Sequence, residues 1–266
     1  MTGFGARLLE ATHGHGRLCV GLDPHPALLR QWGLGDDVAG LRGFSEICAE
    51  AFAGRVAVVK PQSAFFERFG ARGIAVLEEL ISACRTAGTL VLLDVKRGDI
   101  GTTMAAYADA YLDPSAPLAV DAITVSPYVG VGALQPAFEA AVKHDAGVFV
   151  LALSSNPEGA DVQRALAQGI VDDLGAYNVG ADPMGSLGVV VGATVGELTV
   201  DLTGLNGPVL VPGVGAQGGT VADVRRLFGG LPGVLPAVSR GVLRTGPDVA
   251  ALRATAARLN QELSAD

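Results

Sequence analysis

The sequence predicts an α/β protein in which eight parallel strands close into a single (β/α)8 barrel, or TIM barrel. Eight short apolar runs alternate with longer helical patterns along 266 residues, and this number of units and this length are typical of the fold. The runs are apolar almost throughout, as expected of parallel strands that helices cover on both faces. Because no linker or block of like charge divides the chain, we expect residues 1–266 to form one domain.

The predicted elements follow one another at short intervals. The strands are expected at 18–22, 56–59, 90–93, 119–125, 147–152, 188–191, 208–211 and 233–238. Helical spacing of apolar residues is clearest over 41–53, 73–86, 134–143, 162–177, 221–228 and 247–263. Pro247 is expected in the first turn of the last helix, where its missing N–H costs nothing. An open doubly wound sheet is the alternative fold, but no G-x-G-x-x-G turn follows the first strand.

Composition narrows the classes of partner. The net charge of −8 and a pI of about 5.0 argue against a general nucleic-acid or anionic-membrane binder, although a small anion could still bind in a local basic pocket. The three cysteines lack metal-ligand spacing and any disulfide pattern, which suits a reducing compartment. Neither a signal sequence nor a long apolar run is present, so we expect a soluble cytoplasmic protein without a membrane span.

The segment 91–103 begins as a buried strand and ends in four charged residues: Asp94, Lys96, Arg97 and Asp99. Charges are costly to remove from water, so their position at the mouth of a strand requires a reason. If the strand stays extended, Asp94 and Lys96 point to the same face. Taken alone, such a pair is most simply a salt bridge that closes a strand end.

Polar residues recur at the carboxyl ends of the other predicted strands as well. The set consists of Asp23, Lys60, Asp94, Lys96, Ser126, Gln217 and Arg240. In a (β/α)8 barrel these strand ends share one rim, and active sites are built there. The convergence of seven polar residues on one rim favours a functional reading of the Asp94–Lys96 pair.

A phosphate site is predicted on the same rim. The glycine-rich stretch 212–219 follows the seventh strand and leads into a helix, and Arg240 follows the eighth. Glycines let backbone N–H groups approach an anion, and loops seven and eight are the usual phosphate site of this fold. The alternative is an ordinary glycine-rich turn, with Arg240 paired to a surface acid.

Together these residues resemble the orotidine 5′-phosphate decarboxylases. The segment 94–100 matches the family signature Asp-x-Lys-x-x-Asp-Ile, and its Arg-Gly variant, with 60–67 upstream, is similar to the branch found in mycobacteria and some other bacteria. The similarity continues in order through 21–24, 124–128, 155–157, 212–217 and 239–241. The stretch 154–186 has no clear counterpart in the more widespread branch.

The resemblance implies decarboxylation of orotidine 5′-phosphate to UMP and CO2, the last step of de novo pyrimidine nucleotide synthesis, with neither cofactor nor metal. Lys60, Asp94, Lys96 and Asp99 would form the charged catalytic network. Lys96 would stabilise the carbanion at C6 of the pyrimidine and protonate it. Neighbouring carboxylates favour the charged form of such an amine.

The resemblance also implies a homodimer with shared active sites and a set of substrate-binding residues. Asp99, Ile100 and Thr103 would cross the interface into the neighbouring site. Asp23 would bind the ribose hydroxyls, and Ser126 the pyrimidine edge. The remaining contacts, mainly to the phosphate, would come from Pro212, Gln217, Gly218, Gly219 and Arg240.

Two rival functions remain open at this point. The first is another barrel enzyme, such as a phosphosugar lyase, aldolase or epimerase. Keto-gulonate phosphate decarboxylases share the Asp-x-Lys-x-x-Asp pattern but bind magnesium through an acidic residue near the second strand, where this chain has Lys60. The second rival is a non-catalytic nucleotide-binding protein, although binding alone does not require two amines around a carboxylate.

Overall fold

The structure, a computed structural model, describes residues 3–264. Eight strands pair in sequence order, each parallel to the next, and the eighth pairs with the first, so the barrel is closed. The predicted fold class is therefore confirmed. The strands are β1 (Cys19–Leu22), β2 (Val58–Pro61), β3 (Leu90–Arg97), β4 (Ala122–Val125), β5 (Gly147–Leu153), β6 (Leu187–Val191), β7 (Val209–Val211) and β8 (Val234–Val238).

Helices surround the barrel, and each predicted helix is present: the one over 221–228 has the predicted bounds, and the others have one or both ends shifted. They are α1 (Phe4–His15), α2 (Pro26–Gln31), α3 (Val38–Phe52), α4 (Ala64–Glu67), α5 (Ala71–Thr86), α6 (Gly101–Leu112), α7 (Gln135–Lys143), α8 (Ala160–Tyr177), α9 (Val221–Phe228), α10 (Arg240–Leu243) and α11 (Val249–Ser264). None of those in the described range 3–264 has the length and apolar character needed to cross a bilayer.

The start of α11 differs from the sequence prediction. The helix begins at Val249, so Pro247 lies before its first turn and the prediction for this proline was wrong. Instead, the carboxylate of Asp248 accepts a hydrogen bond from the backbone N–H of Ala251 at 2.7 Å. A side-chain acceptor of this kind satisfies a free N–H of the first turn, which is the role of an N-cap residue.

Two apolar layers fix the direction in which the strand side chains point. Alternate strand residues such as Leu90 and Leu92 face the barrel interior, while Val91 and Leu93 pack against the surrounding helices. Phe4 of α1 belongs to the interior cluster and contacts Phe149 edge to face, with 6.0 Å between ring centroids. α1 thus covers the amino-terminal end of the barrel, and the carboxyl ends of the strands form the open mouth.

The end of β3 departs from a regular strand. Leu93 pairs with Ile123 and Arg97 pairs with Val125, so three residues of β3 lie opposite one residue of β4. Lys96 has a φ of 45°, in the left-handed region that residues with a side chain rarely adopt. The simple alternation that predicts the Asp94–Lys96 pairing therefore does not hold over these residues, and other contacts must bring the pair together.

Candidate active site

A cavity of about 300 Å³ opens at the carboxyl ends of the strands. Its walls come from both halves of the barrel, as the convergence of polar strand ends predicts. The predicted site residues that line it are Asp23, Lys60, Asp94, Lys96, Pro212, Gln217 and Arg240. The structure thus brings seven of the thirteen predicted residues to one cavity, and the other six, Asp99, Ile100, Thr103, Ser126, Gly218 and Gly219, lie outside its lining.

The centre of the cavity is a carboxylate held between two amines. Asp94 Oδ2 lies 3.0 Å from Lys60 Nζ, and Asp94 Oδ1 lies 2.6 Å from Lys96 Nζ. The side chains of Lys60 and Asp94 are each only 9% exposed, whereas that of Lys96 is 47% exposed. Lys60 and Asp94 therefore form a buried ion pair, and the Lys96 amine, which is bonded to Asp94, extends into the open cavity.

The pKa values of the buried pair shift in opposite directions. Burial alone would raise the pKa of the Asp94 carboxyl, but Lys60 and Lys96 beside it hold that pKa well below its usual range. Burial alone would lower the pKa of Lys60, yet Asp94 and Asp23 outweigh it and raise that pKa. Both groups are therefore charged at neutral pH. With Lys96, the three side chains have a formal charge of +1, which suits an anionic ligand.

Thr124 is a site residue that the sequence analysis missed. Its hydroxyl donates to Asp94 Oδ1 at 2.8 Å and accepts a hydrogen bond from the backbone N–H of Lys96 at 3.0 Å. The side chain is buried at the end of β4 and lines the cavity. A signal for it was available in the sequence, because Thr124 is a polar residue near the carboxyl end of the predicted strand 119–125.

A hydrogen bond joins the loops after β5 and β7 at the wall of the cavity. Ser155, after β5, donates its hydroxyl to Gln217 Oε1, after β7, at 2.9 Å. Both residues line the cavity, together with Ser154. Ser155 and Ser154 were also missed as site residues, because the strand five pattern ends before them without a charged residue.

The glycines of the seventh loop do not present their amides as predicted. The Gly218 N–H donates to the carbonyl of Gly215 at 2.9 Å, and the Gly219 N–H donates to the carbonyl of Gly213 at 3.1 Å. Both groups are therefore already bonded within the loop in this conformation. Of the predicted phosphate ligands, Arg240 and Gln217 remain at the cavity.

Four predicted residues lie on the rim beside β3 and β4, outside the chain's own cavity. Asp99 accepts a hydrogen bond from the backbone N–H of Ile100 at 2.8 Å. Ile100 is 63% exposed, and Thr103 is exposed in the first turn of α6. The backbone N–H of Ser126 donates to the carbonyl of Arg97 at 2.7 Å, which joins the β4 loop to the end of β3.

No group of three or more His, Cys, Asp or Glu side chains that could hold a metal ion occurs within residues 3–264. Lys60 lies where the magnesium-dependent rival would need an acidic ligand, and its amine bonds Asp94 directly. Lys60, Lys96 and Arg240, which line the cavity, offer hydrogen-bond donors and positive charge to an anion.

Comparisons with known proteins agree with this geometry. Residues 16–255 match the model of the Orotidine 5'-phosphate decarboxylase / HUMPS family. An orotidine 5'-phosphate decarboxylase of Salinispora arenicola is 62% identical over 97% of this chain and 96% of its own length. That of Streptomyces coelicolor is 57% identical over 99% of this chain and 98% of its own length.

A solved structure extends the likeness to three dimensions. A crystal structure assigned to an orotidine 5'-phosphate decarboxylase of Streptomyces avermitilis superposes with a TM-score of 0.96 and 56% identity, over 99% of this chain and 95% of that one. The family model also includes the HUMPS proteins and so does not by itself distinguish the two branches. The named relatives and this structure all belong to the decarboxylase branch. The chain therefore belongs to the Orotidine 5'-phosphate decarboxylase / HUMPS family and is an enzyme of its decarboxylase branch, a carboxy-lyase of pyrimidine biosynthesis.

Proposed function

We propose that the enzyme converts orotidine 5′-phosphate to UMP and CO2 without a cofactor, and that Lys96 carries the chemical step. The observation that supports this most directly is the Lys60–Asp94–Lys96 array, in which one partly exposed amine of β3 faces a cavity that Arg240, after β8, also lines. One end of the cavity can thus hold a reacting carboxylate, and the other a phosphate.

The chemistry explains the need for a fixed cation. When the bond between C6 and the carboxylate carbon breaks, its electron pair stays on C6 in an orbital that cannot overlap with the ring π-system. We place the ammonium of Lys96 beside C6, where this charge develops, and a fixed charge that interacts more strongly with the transition state than with the bound substrate lowers the barrier. The same ammonium then donates its proton to C6, which gives UMP and leaves the amine neutral.

Asp94 has a second effect in this proposal. The substrate carboxylate would lie close to the Asp94 carboxylate, which Lys60 keeps charged and in place. Repulsion between the two carboxylates raises the free energy of the bound substrate and is relieved as CO2 leaves. The array therefore acts on both the ground state and the transition state.

The remaining polar groups would orient the nucleotide. Asp23 Oδ1 is buried and has no hydrogen-bond partner among the described residues, so it can accept from a ribose hydroxyl. Arg240 would bind the phosphate, with Gln217 beside it. The resemblance implies Ser126 at the pyrimidine edge, but Ser155 lines the cavity and Ser126 does not. We therefore assign that contact to Ser155.

We also propose a homodimer in which Asp99, Ile100 and Thr103 complete the neighbouring active site. All three lie outside the chain's own cavity. The loops after β3 and β4 are in contact through Gly98 and Ser126, and together they expose Ile100, Tyr128 and Val129. Exposed apolar side chains around a charged residue fit a surface that a second copy of the chain covers.

Mixing two inactive variants tests this shared site. Lys96→Ala and Asp99→Ala should each be inactive alone, because each removes one charge from every site. Co-expressed, they should recover about a quarter of wild-type activity, since about half of the dimers are mixed and each of these has one intact site. The matched control co-expresses Lys96→Ala with Asp94→Asn. Because Lys96 and Asp94 both belong to the site of their own subunit, every site of a mixed dimer lacks one of them, and we expect no recovery. If the mixture of Lys96→Ala and Asp99→Ala also shows no recovery, sharing of the site through Asp99 is ruled out.

An absorbance assay of orotidine 5′-phosphate, run with and without EDTA, tests the proposed reaction. We expect loss of the substrate spectrum and formation of UMP at the same rate in both samples, because the charged groups at C6 come from the protein. A rate that EDTA abolishes and magnesium restores would favour the magnesium-dependent rival. Ligand binding without turnover would favour the non-catalytic one.

A further inference from the structure

The peptide group between Val95 and Lys96 is held by side chains at both ends. Its N–H, on Lys96, donates to Thr124 Oγ1 at 3.0 Å. Its C=O, on Val95, accepts from Arg97 Nη1 at 3.2 Å. In a regular strand a neighbouring strand satisfies these groups. Here the β3–β4 pairing passes directly from Leu93 to Arg97, and two side chains take its place.

This peptide leads into a strained residue. Lys96 has a φ of 45°, a conformation that costs free energy for any residue with a side chain. Such a conformation persists only where the surroundings enforce it, and it is common at functional sites. The strain also explains how Asp94 and Lys96 meet although the strand between them is not regular. The side chain of Lys96 is thus aimed by its backbone as well as by its ion pair with Asp94.

Arg97 is itself anchored on other sides. Its Nη2 donates to Glu67 Oε1 at 2.5 Å and to the hydroxyl of Tyr111 at 3.3 Å. Its guanidinium carbon lies 5.6 Å from the ring centroid of Tyr107. Glu67 also accepts from the hydroxyl of Ser63 at 2.7 Å, which ties the group to the loop that follows Lys60. A guanidinium fixed in this way can hold the Val95 carbonyl in one position.

We infer that Arg97 and Thr124 are positioning residues that hold the Val95–Lys96 peptide in its strained conformation and thereby aim the Lys96 ammonium. The inference rests on the proposed role of Lys96 in the reaction. Arg97 acts from outside the cavity, through the carbonyl of Val95. Thr124 acts from inside it, through the N–H of Lys96 and the carboxylate of Asp94.

Conservative variants test the two residues separately. In Arg97→Lys a single ammonium replaces the separate Nη1 and Nη2 that bond the Val95 carbonyl and Glu67, so we expect the ion pair with Glu67 to be kept and the hydrogen bond to Val95 to be lost. In Thr124→Val the shape is kept and the hydroxyl is lost, while Thr124→Ser keeps the hydroxyl. We expect Arg97→Lys and Thr124→Val to lower kcat by about tenfold to a hundredfold, because small misplacements of a reacting group have effects of this size. Thr124→Ser should restore most of kcat.

The control and the further readouts separate positioning from a general loss of structure. Arg68→Lys is the matched control, because the Arg68 side chain also pairs with a carboxylate, that of Asp36 beside α4, and has no hydrogen bond or ion pair to β3 among the described residues. It should leave kcat unchanged. In Arg97→Lys and Thr124→Val, the KM for orotidine 5′-phosphate and the Kd for UMP should change by less than about threefold.

Three results would overturn the inference. They are wild-type kcat in both variants, a loss of UMP affinity as large as the loss of kcat, and no restoration by Thr124→Ser. The proposed function is tested separately by Lys96→Ala. If that variant is inactive while Arg97→Lys and Thr124→Val both have the wild-type kcat, only the positioning role fails. If Lys96→Ala retains turnover, the proposed function fails first.

Discussion

Replacing Lys96 with alanine should abolish decarboxylation and leave the binding of UMP nearly intact. The amine is the partly exposed member of the array, 2.6 Å from Asp94, and the proposed mechanism places it beside the charge that develops at C6. Its loss removes both the electrostatic stabilisation and the proton donor, and we expect a cost on the order of 5 kcal/mol, or about four powers of ten in kcat. UMP has no carboxylate at C6, so its affinity depends mainly on the contacts to phosphate and ribose.

Single-turnover assays for the reaction and calorimetric titration with UMP check this prediction. Lys143→Ala is the matched control, because Lys143 is an exposed lysine at the end of α7, away from the cavity. It should behave as the wild type in both measurements. Turnover within about tenfold of the wild type in Lys96→Ala would assign the chemical step to another group.

The sequence was sufficient to predict this array but not its geometry. The apolar runs and the polar residues that follow them predicted that Lys60 and Asp94 would meet at one rim, and the structure shows them 3.0 Å apart. The contact between Asp94 and Lys96 was also predicted, although on the assumption of a regular strand. The irregularity depends on how β3 pairs with β4 and on Thr124, 28 residues from Lys96. A pattern that is read along one strand contains no such information.

The sequence also does not predict which loop residues face the cavity. A predicted strand end indicates that a loop reaches the rim, but it does not indicate which loop residue faces inward. Ser155 rather than Ser126 lines the cavity, and the amide of Gly218 bonds its own loop. The ion pair of Arg97 with Glu67 joins residues 30 positions apart on different elements. Contacts of this kind are set by the three-dimensional packing of the loops, which local periodicity does not specify.

Replacing Arg240 with alanine should lower kcat/KM by about a thousandfold, a cost on the order of 4 kcal/mol. Arg240 lies at the start of α10, after β8, which is three strands from β3 in the barrel, and it lines the same cavity as Lys96. The phosphate does not react, yet its binding energy can be used to orient the ring against the Lys60–Asp94–Lys96 array. The loss should therefore appear in the chemical step as well as in binding.

A substrate without the phosphate makes this prediction specific. Steady-state kinetics with orotidine, the nucleoside, should give the same kcat/KM for Arg240→Ala and the wild type, because the contact that the variant removes is absent for both. Arg244→Ala is the matched control, since this exposed arginine is four residues further along and outside the cavity lining. A loss with orotidine equal to that with orotidine 5′-phosphate would show that Arg240 supports the fold of the rim and does not bind the phosphate. If the kcat/KM for orotidine is the same in Arg240→Ala and the wild type, the cavity has two functionally separate ends. One end binds the nucleotide by its phosphate, and the other breaks the bond at C6.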